Sequence, residues 1–376
     1  MRIVGIDKVG STFHDFPHLE GSKCPHVWII NVTPAGKPHC IHDCPFCYAR
    51  WMVYSDRSWD APLRYYKNLD RVVEEELEKY TIAPPVYLSS VTDVCQRVEP
   101  VREIASRVIS LLSKKGLSIS VTTKGDPSFI LDIMEERGFE RFVLQVSIEG
   151  PEEVLKITSP RALSFKDRLK VVENASKRGV TAIIRLDPFF YHLYIALFGD
   201  KWPHVLRDLA IRFKNAGAQA VIGSTGRFSG RDFYNEKGEL LGKDFDIYMD
   251  ICQNFGLSKG IVEREHVAEK RRGIKGIWLR RELVDLFHLT MKRISRDISL
   301  KYTACDGKGN CNAFSLPFVV KVGDRFEPIP NCEGRCRTCN LNYSFCHHLK
   351  HISGPLRPKH LMINLSPIER FLISKN

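Results

Sequence analysis

A mixed α/β chain built on a partial (β/α)6 TIM-type barrel is the architecture this sequence predicts, followed by a helical extension and a small C-terminal cysteine-rich domain. Three observations predict it. Six apolar, β-rich runs alternate with helical patterns between residues 26 and 226. The runs are nearly continuous in Val, Ile and Leu rather than alternating, as in strands of a parallel sheet covered on both faces. The cysteines gather at the two ends of the chain, three at 40–47 and six at 305–346 of twelve in all, which predicts two metal sites.

Residues 1–25 form an N-terminal extension with one short apolar strand, Ile3 to Ile6. The barrel occupies 26–230, with strands at 26–33, 85–93, 117–124, 141–149, 181–188 and 219–226. The segments between them carry helical periodicity. Several close on a glycine where a left-handed C-cap is wanted: Gly116, Gly138, Gly179 and Gly217. A doubly wound open sheet is the alternative for the same alternation. From 231 to 300 the chain turns helical with a basic bias, at Arg271, Arg272, Lys275, Arg280, Arg281, Lys292, Arg293 and Arg296. Those charges fit either a solvated face beside an apolar stripe or a nucleic-acid groove. Residues 301–350 form the cysteine-rich domain and 351–376 a tail.

A length of 376 residues accommodates one large domain and a smaller one. No apolar run reaches the ~20 residues that span a bilayer, and the first residues lack the apolar core of a signal peptide. The chain is therefore expected in the cytoplasm, without a membrane partner. In that compartment clustered cysteines read as metal ligands rather than disulfides. The net charge of +12 favours polyanions such as nucleic acid.

Cys40, Cys44 and Cys47 are spaced C-x-x-x-C-x-x-C, with Phe46 before the third thiol. Three thiolates on one loop can hold three irons of a [4Fe–4S] cube and leave the fourth open to a chelating substrate. A zinc site or an electron-transfer cluster wants a fourth cysteine nearby, and the next, Cys95, is far along the chain. A chance half of a zinc knuckle is the alternative. The loop follows the first barrel strand directly, and barrel chemistry sits at the C-terminal ends of strands.

With Phe46 in place, this spacing resembles the signature of the radical S-adenosylmethionine (SAM) enzymes. Thr92, Asp93, Gln96 and Glu99 resemble a Thr-Asp-x-x-Gln-x-x-Glu segment of the spore-photoproduct-lyase-like branch of that superfamily. The stretch 146–188 is similar to the unit linking the fourth and fifth strands of the same branch. The resemblance covers roughly residues 26–226. It implies a barrel that binds SAM across its strand ends and takes an electron from an external donor. SAM would then be cleaved reductively to a 5′-deoxyadenosyl radical. Candidates for holding SAM are Ser89, Ser90, Thr92 and Asp93 after the second strand, with Thr122, Thr123 and Lys124 after the third. Ser147 and Glu149 would meet the ribose hydroxyls, Arg185 would pair with Glu149 or the SAM carboxylate, and Ser224 and Thr225 would lie near the adenine. A cysteine ends the second strand in the lesion-repairing member and returns a hydrogen atom to the product. Here Cys95 is the nearest thiol, read either as that donor or as an inert buried thiol.

The second group comprises Cys305, Cys311, Cys332, Cys336, Cys339 and Cys346. It repeats the C-x-x-x-C-x-x-C spacing at 332–339 and has thiols to spare, so it predicts a closed auxiliary [4Fe–4S] cluster, with zinc as the alternative. Three functions follow: a radical SAM enzyme acting on nucleic acid, by base modification or lesion repair; one acting on a peptide or protein with the auxiliary cluster; or a non-catalytic iron–sulfur or zinc protein that binds nucleic acid. The six strand–helix units argue against the third.

Overall fold

A computed structural model describes residues 2–15, 28–34, 40–47, 49, 62–88, 90–229, 255–271, 274–305, 312–334 and 362. Strands β1 (Ile3–Ile6), β2 (His14–Asp15), β3 (Trp28–Ile30) and β4 (Leu63–Tyr66) come first, then helix α1 (Leu69–Leu77) and strand β5 (Ile82–Ala83). The repeating part follows as β6 (Val86–Leu88), α2 (Glu99–Lys115), β7 (Ile119–Thr123), α3 (Ser128–Glu135), β8 (Phe142–Ser147), α4 (Glu152–Thr158) and α5 (Phe165–Lys177). It continues with β9 (Thr181–Phe189), α6 (Tyr191–Phe198), α7 (Trp202–Asn215) and β10 (Ala220–Thr225).

Each of the six barrel runs contains one strand, and all six lie in one sheet in the order β10-β9-β8-β7-β6-β3, every pair parallel. That order follows the sequence without the reversal a doubly wound sheet contains. The continuity of the runs has the expected cause: in β8 all six residues are buried. Fully burying one such Val, Leu or Phe side chain contributes about 1.5–3 kcal/mol. One face of the sheet carries Leu88, Val121, Leu144, Val146 and Ile184 into the main core, against helix residues such as Val108, Leu131 and Val172. The four cap glycines all have positive φ. At Gly116 a side chain is excluded twice, by φ of +85° and by the Phe326 carbonyl oxygen 2.2 Å from where Cβ would stand.

The N-terminal extension is joined to this body. Strand β2 pairs antiparallel with β3, and β1 runs parallel to β4. The buried carboxylate of Glu76 accepts hydrogen bonds from Ser11, Thr12 and Tyr80.

Beyond the parallel strands the architecture departs from expectation. Strand β11 (Arg227–Ser229) follows β10, and the stretch from 231, expected to be turn-rich and then helical, contains helix α8 (Lys259–Glu265) and strands β12 (His266–Arg271) and β13 (Ile274–Leu279). These strands form an antiparallel sheet in the order β11-β13-β12. Gly276 disfavours helix and Ile274, Ile277 and Trp278 suit a pleated surface, and the Arg/Lys/Glu content of the stretch hid that preference. Helix α9 (Arg281–Asp297) is helical as expected. It buries Val284, Phe287, Met291 and Ile294 while exposing Lys292, Arg293 and Arg296, and Phe287 stacks on Phe189 at 4.1 Å.

The cysteine-rich region is also tied to the main sheet where it is described. Strand β14 (Lys301–Ala304) extends the main sheet in parallel beyond β10. Strands β15 (Val319–Val322) and β16 (Arg325–Pro328) form a hairpin, and β15 pairs with β5. Between them, Ala313, Phe314 and Leu316 pack on Val143, Ile183, Ala220 and Ile222, which lie on the opposite face of the sheet from the main core. Apart from residue 362, the tail lies outside the described residues.

Candidate active site

The C-terminal ends of the parallel strands converge on the cysteine loop. Asp43, exposed and with φ of +50°, lets the chain turn between Cys40 and Cys44, a conformation Asp adopts more readily than most residues. The Cys47 N–H then bonds the Cys44 carbonyl at 3.0 Å. Phe46 packs against Phe190, ring centroids 5.2 Å apart, and against Phe255. The three thiols carry no disulfide. Burial pushes the Cys44 thiol up to about 11 and the Cys40 thiol well above its ordinary range, and the neighbouring loop thiols add to both shifts.

The loop is fastened to the second and third barrel turns. Ile41 N–H donates to the Gln96 side chain at 2.9 Å, and His42 Nε2 meets Asp93 Oδ2 at 2.9 Å. Asp93 also accepts from the N–H groups of Cys95 and Lys124 and from the Thr123 hydroxyl, all within 3.0 Å. Gly125 allows the two turns to touch, since a Cβ there would stand 2.5 Å from the Cys95 carbonyl oxygen. Asp93 was expected to meet the cofactor. It is buried and both its oxygens are committed to protein donors, so it braces the loop instead. Burial alone would raise its pKa, but the His42 hydrogen bond and the backbone donors outweigh that and hold it below the ordinary 3.8.

That shift fixes a sign. A carboxyl held lower in the folded state stabilises fully above its unfolded pKa and loses that contribution as pH falls through the folded value. Asp93→Ala should cost about 3–5 kcal/mol at neutral pH, because it strands buried donors. The deficit should shrink below about pH 4, the range in which an unperturbed Asp titrates. Urea unfolding at several pH values reads this out, and a deficit that does not change with pH would remove the carboxylate from the brace.

At the end of β8, Glu149 and Arg168 are both fully buried and paired at 2.8 Å, with Lys124 on the other carboxylate oxygen. Arg168 also donates to the carbonyls of Leu163 and Ser147 at 2.8 and 2.9 Å and to the Ser159 hydroxyl at 2.6 Å. Its position follows from the start of α5, where Ser164 caps the N–H of Asp167. The buried face then runs Phe165, Arg168, Val172, Ala175. The sequence reading missed Arg168 as a site residue. A charged side chain inside an apolar helical stripe was the available signal.

Arg185 does not pair with Glu149. Its guanidinium bonds Gln145 at 3.0 Å and pairs with Asp187, and Gln145 in turn donates to Ser120 at 2.7 Å. Ser147 is buried, and Ser224 and Thr225 lie half-buried at the end of β10. Asn31, Thr33, Thr92 and Thr122, at the same strand ends, hold buried side-chain oxygens without a hydrogen-bond partner. Ser90 is half-buried, while Ser89 lies outside the described residues. Cys95 is fully buried in the main core, where burial raises its thiol well above the ordinary range. That environment is opposite to an accessible hydrogen donor's.

The C-terminal thiols separate. Cys305 follows β14, and its N–H bonds the Gly223 carbonyl at 2.7 Å, at the C-terminal end of the sheet. Its charge is among those that raise the Arg185 pKa. Cys332 lies at the other end. Its sulfur accepts from the Phe318 N–H at 3.3 Å, one residue from Pro317, whose carbonyl takes the hydroxyl of Ser118 just before β7. The sheet between them is about 17 Å deep, judged from the rise of a six-residue strand. One metal centre cannot span it, so the expected grouping of Cys305 with Cys332 is corrected. Cys311, Cys336, Cys339 and Cys346 lie outside the described residues.

Three cysteine thiols without a disulfide on one loop, with two cations and a set of unmatched oxygens at the same strand ends, fit an iron–sulfur cluster with a polar ligand. Residues 37–200 match the Radical SAM superfamily. That stretch is a radical SAM domain, of a superfamily that implies a [4Fe–4S] cluster and SAM. No curated protein matches it. Among solved structures it is similar to a cysteine-to-serine variant of spore photoproduct lyase, with 16% identity, 80% of each chain covered and a TM-score of 0.56. A double variant of that lyase with bound AdoMet and dinucleoside spore photoproduct gives 14% identity over 76% of this chain and 78% of that one, TM-score 0.54. The lyase complexed with dinucleoside spore photoproduct gives 14%, 77% and 79%, TM-score 0.53. At these identities the likeness is one of fold. No helix among the described residues is long and apolar enough to cross a membrane.

Proposed function

We propose that the sheet curves into a partial barrel, that Cys40, Cys44 and Cys47 anchor a [4Fe–4S] cluster at its C-terminal rim, and that the enzyme acts on a nucleic acid. The observation that carries the cluster and cofactor reading is the coincidence of three cysteines on one loop with unmatched buried oxygens on Asn31, Thr33, Thr92 and Thr122. An unpaired buried oxygen costs free energy that a ligand donor recovers. Bound SAM supplies a radical by reductive cleavage of its sulfonium. The chain's own part is to hold, orient and seal. Asn31, Thr33, Thr92 and Thr122 would take the polar groups of SAM, with Ser90, Ser147, Ser224 and Thr225 around them. Phe46, Phe190 and Phe255 exclude water beside the loop. Arg185 and Asp187 face the substrate side. A C-terminal centre would draw on Cys332, Cys336 and Cys339 with Cys311 or Cys346.

Nucleic acid as substrate is supported by the +12 charge, by the exposed Lys292, Arg293 and Arg296 of α9, and by the dinucleoside in the structurally similar lyase. Anaerobic reconstitution with SAM and a reductant should release 5′-deoxyadenosine, and its absence from iron-loaded protein would end the SAM reading. Binding to a DNA oligonucleotide should fall linearly on a log–log plot against salt. No binding at low salt would turn the assignment to a peptide substrate.

A further inference from the structure

The surroundings of the cysteine loop are unevenly charged. On the Cys44 side, Lys124 and Arg168 share the single carboxylate of Glu149. Every other hydrogen bond of Arg168 goes to a neutral acceptor. The nearby carboxylates are engaged elsewhere: Glu152 accepts from the Phe165 N–H, and Asp187 pairs with Arg185. On the Cys40 side the charge of Asp93 is matched by His42, two backbone N–H groups and a hydroxyl. The triad therefore leaves one positive charge in excess, with Arg168 and Glu149 fully buried and the Lys124 side chain 16% exposed. Burying an uncompensated charge is costly unless an anionic group completes the site. Lys124 also holds its ammonium 5.5 Å from the Phe46 ring centre, within the loop itself. Three thiolates outweigh the charge of an oxidised cube, and reduction adds a further electron, so a cluster here is the anion the triad lacks.

We propose that Lys124, Glu149 and Arg168 form the counter-charge of the cluster and set its reduction potential, with Lys124 the adjustable member. The inference rests on the radical SAM reading. A cation this close favours the reduced, more negative cluster in a site of low dielectric.

The test is an EPR-monitored redox titration of the reconstituted cluster without SAM, on wild type, Lys124→Gln, Lys124→Arg and Glu149→Gln, each with its iron content measured. Lys124→Gln should lower the reduced-to-oxidised ratio at fixed potential about tenfold, a midpoint about 59 mV more negative. Lys124→Arg should stay near wild type, and Glu149→Gln, which removes the anion and keeps both cations, should move the midpoint upward. An iron-loaded Lys124→Gln protein with an unchanged midpoint overturns the proposal. Loss of SAM affinity alone in that variant would restrict Lys124 to the cofactor. Should Lys124→Gln fail to retain iron, an unmoved midpoint in Glu149→Gln overturns it equally. Wild-type protein that takes up no iron at 40–47 would instead defeat the radical SAM reading itself.

Discussion

Cys40→Ala, Cys44→Ala and Cys47→Ala should each abolish 5′-deoxyadenosine formation while leaving the fold intact. Loss of a hydrogen-bonding partner behind a metal ligand costs roughly 10–100-fold in affinity or activity, and loss of a ligand itself should exceed that. No described thiol can substitute. Cys95 is enclosed in the core, Cys305 sits at the β14 end beside Arg185, and Cys332 is at the far end of the sheet. The loop should survive, since fastenings through Ile41, His42 and Phe46 remain in each variant. Circular dichroism should therefore match wild type as activity vanishes. A single-cysteine variant that still released 5′-deoxyadenosine at the wild-type rate would remove these thiols from the chemistry.

The second large effect concerns metal content. Cys332→Ser should lose the metal of the C-terminal cysteines, whereas Cys305→Ser should keep all of it. Two [4Fe–4S] cubes amount to about eight irons per chain, and a zinc alternative to about four irons and one zinc. Replacing Cys40, Cys44 and Cys47 together should leave the C-terminal metal in place, which distinguishes the two cases in one measurement. Loss of that metal from Cys305→Ser would contradict the separation of the two thiols across the sheet.

The strands of the parallel sheet and the cysteine loop were legible because their signals are local. A buried strand announces itself as a continuous apolar run, as in β8, and three thiols within eight residues can only form one site. Arg168 was illegible for the complementary reason. A lone arginine reads as solvated until the fold supplies Glu149, Ser159 and two carbonyls from other segments. Asp93 was found, but its role was not, since four donors from three turns take its oxygens. Cys305 and Cys332 looked alike because proximity in sequence stood in for proximity in space. Strand β14 keeps Cys305 at one end of the sheet, and the hairpin of β15 and β16 holds Cys332 at the other. In β12 and β13, Lys, Arg and Glu suggested a helix, and pairing with β11 overrode that local preference.

The hairpin has a consequence for the order of events during synthesis. Val319 and Val320 pair with Ala83 and Ile82, so this strand pair closes a loop that runs from residue 82 to residue 320. Contacts so distant in sequence form slowly and late. Until residues 313–316 have left the ribosome, Val143, Ile183, Ala220 and Ile222 lack their cover. The nascent parallel sheet then lacks cover on that face and already contains the cysteine loop. If Cys40, Cys44 and Cys47 anchor a cluster as proposed, iron and sulfide would have their widest entrance during that interval, and completion of the C-terminal segment would close it behind them.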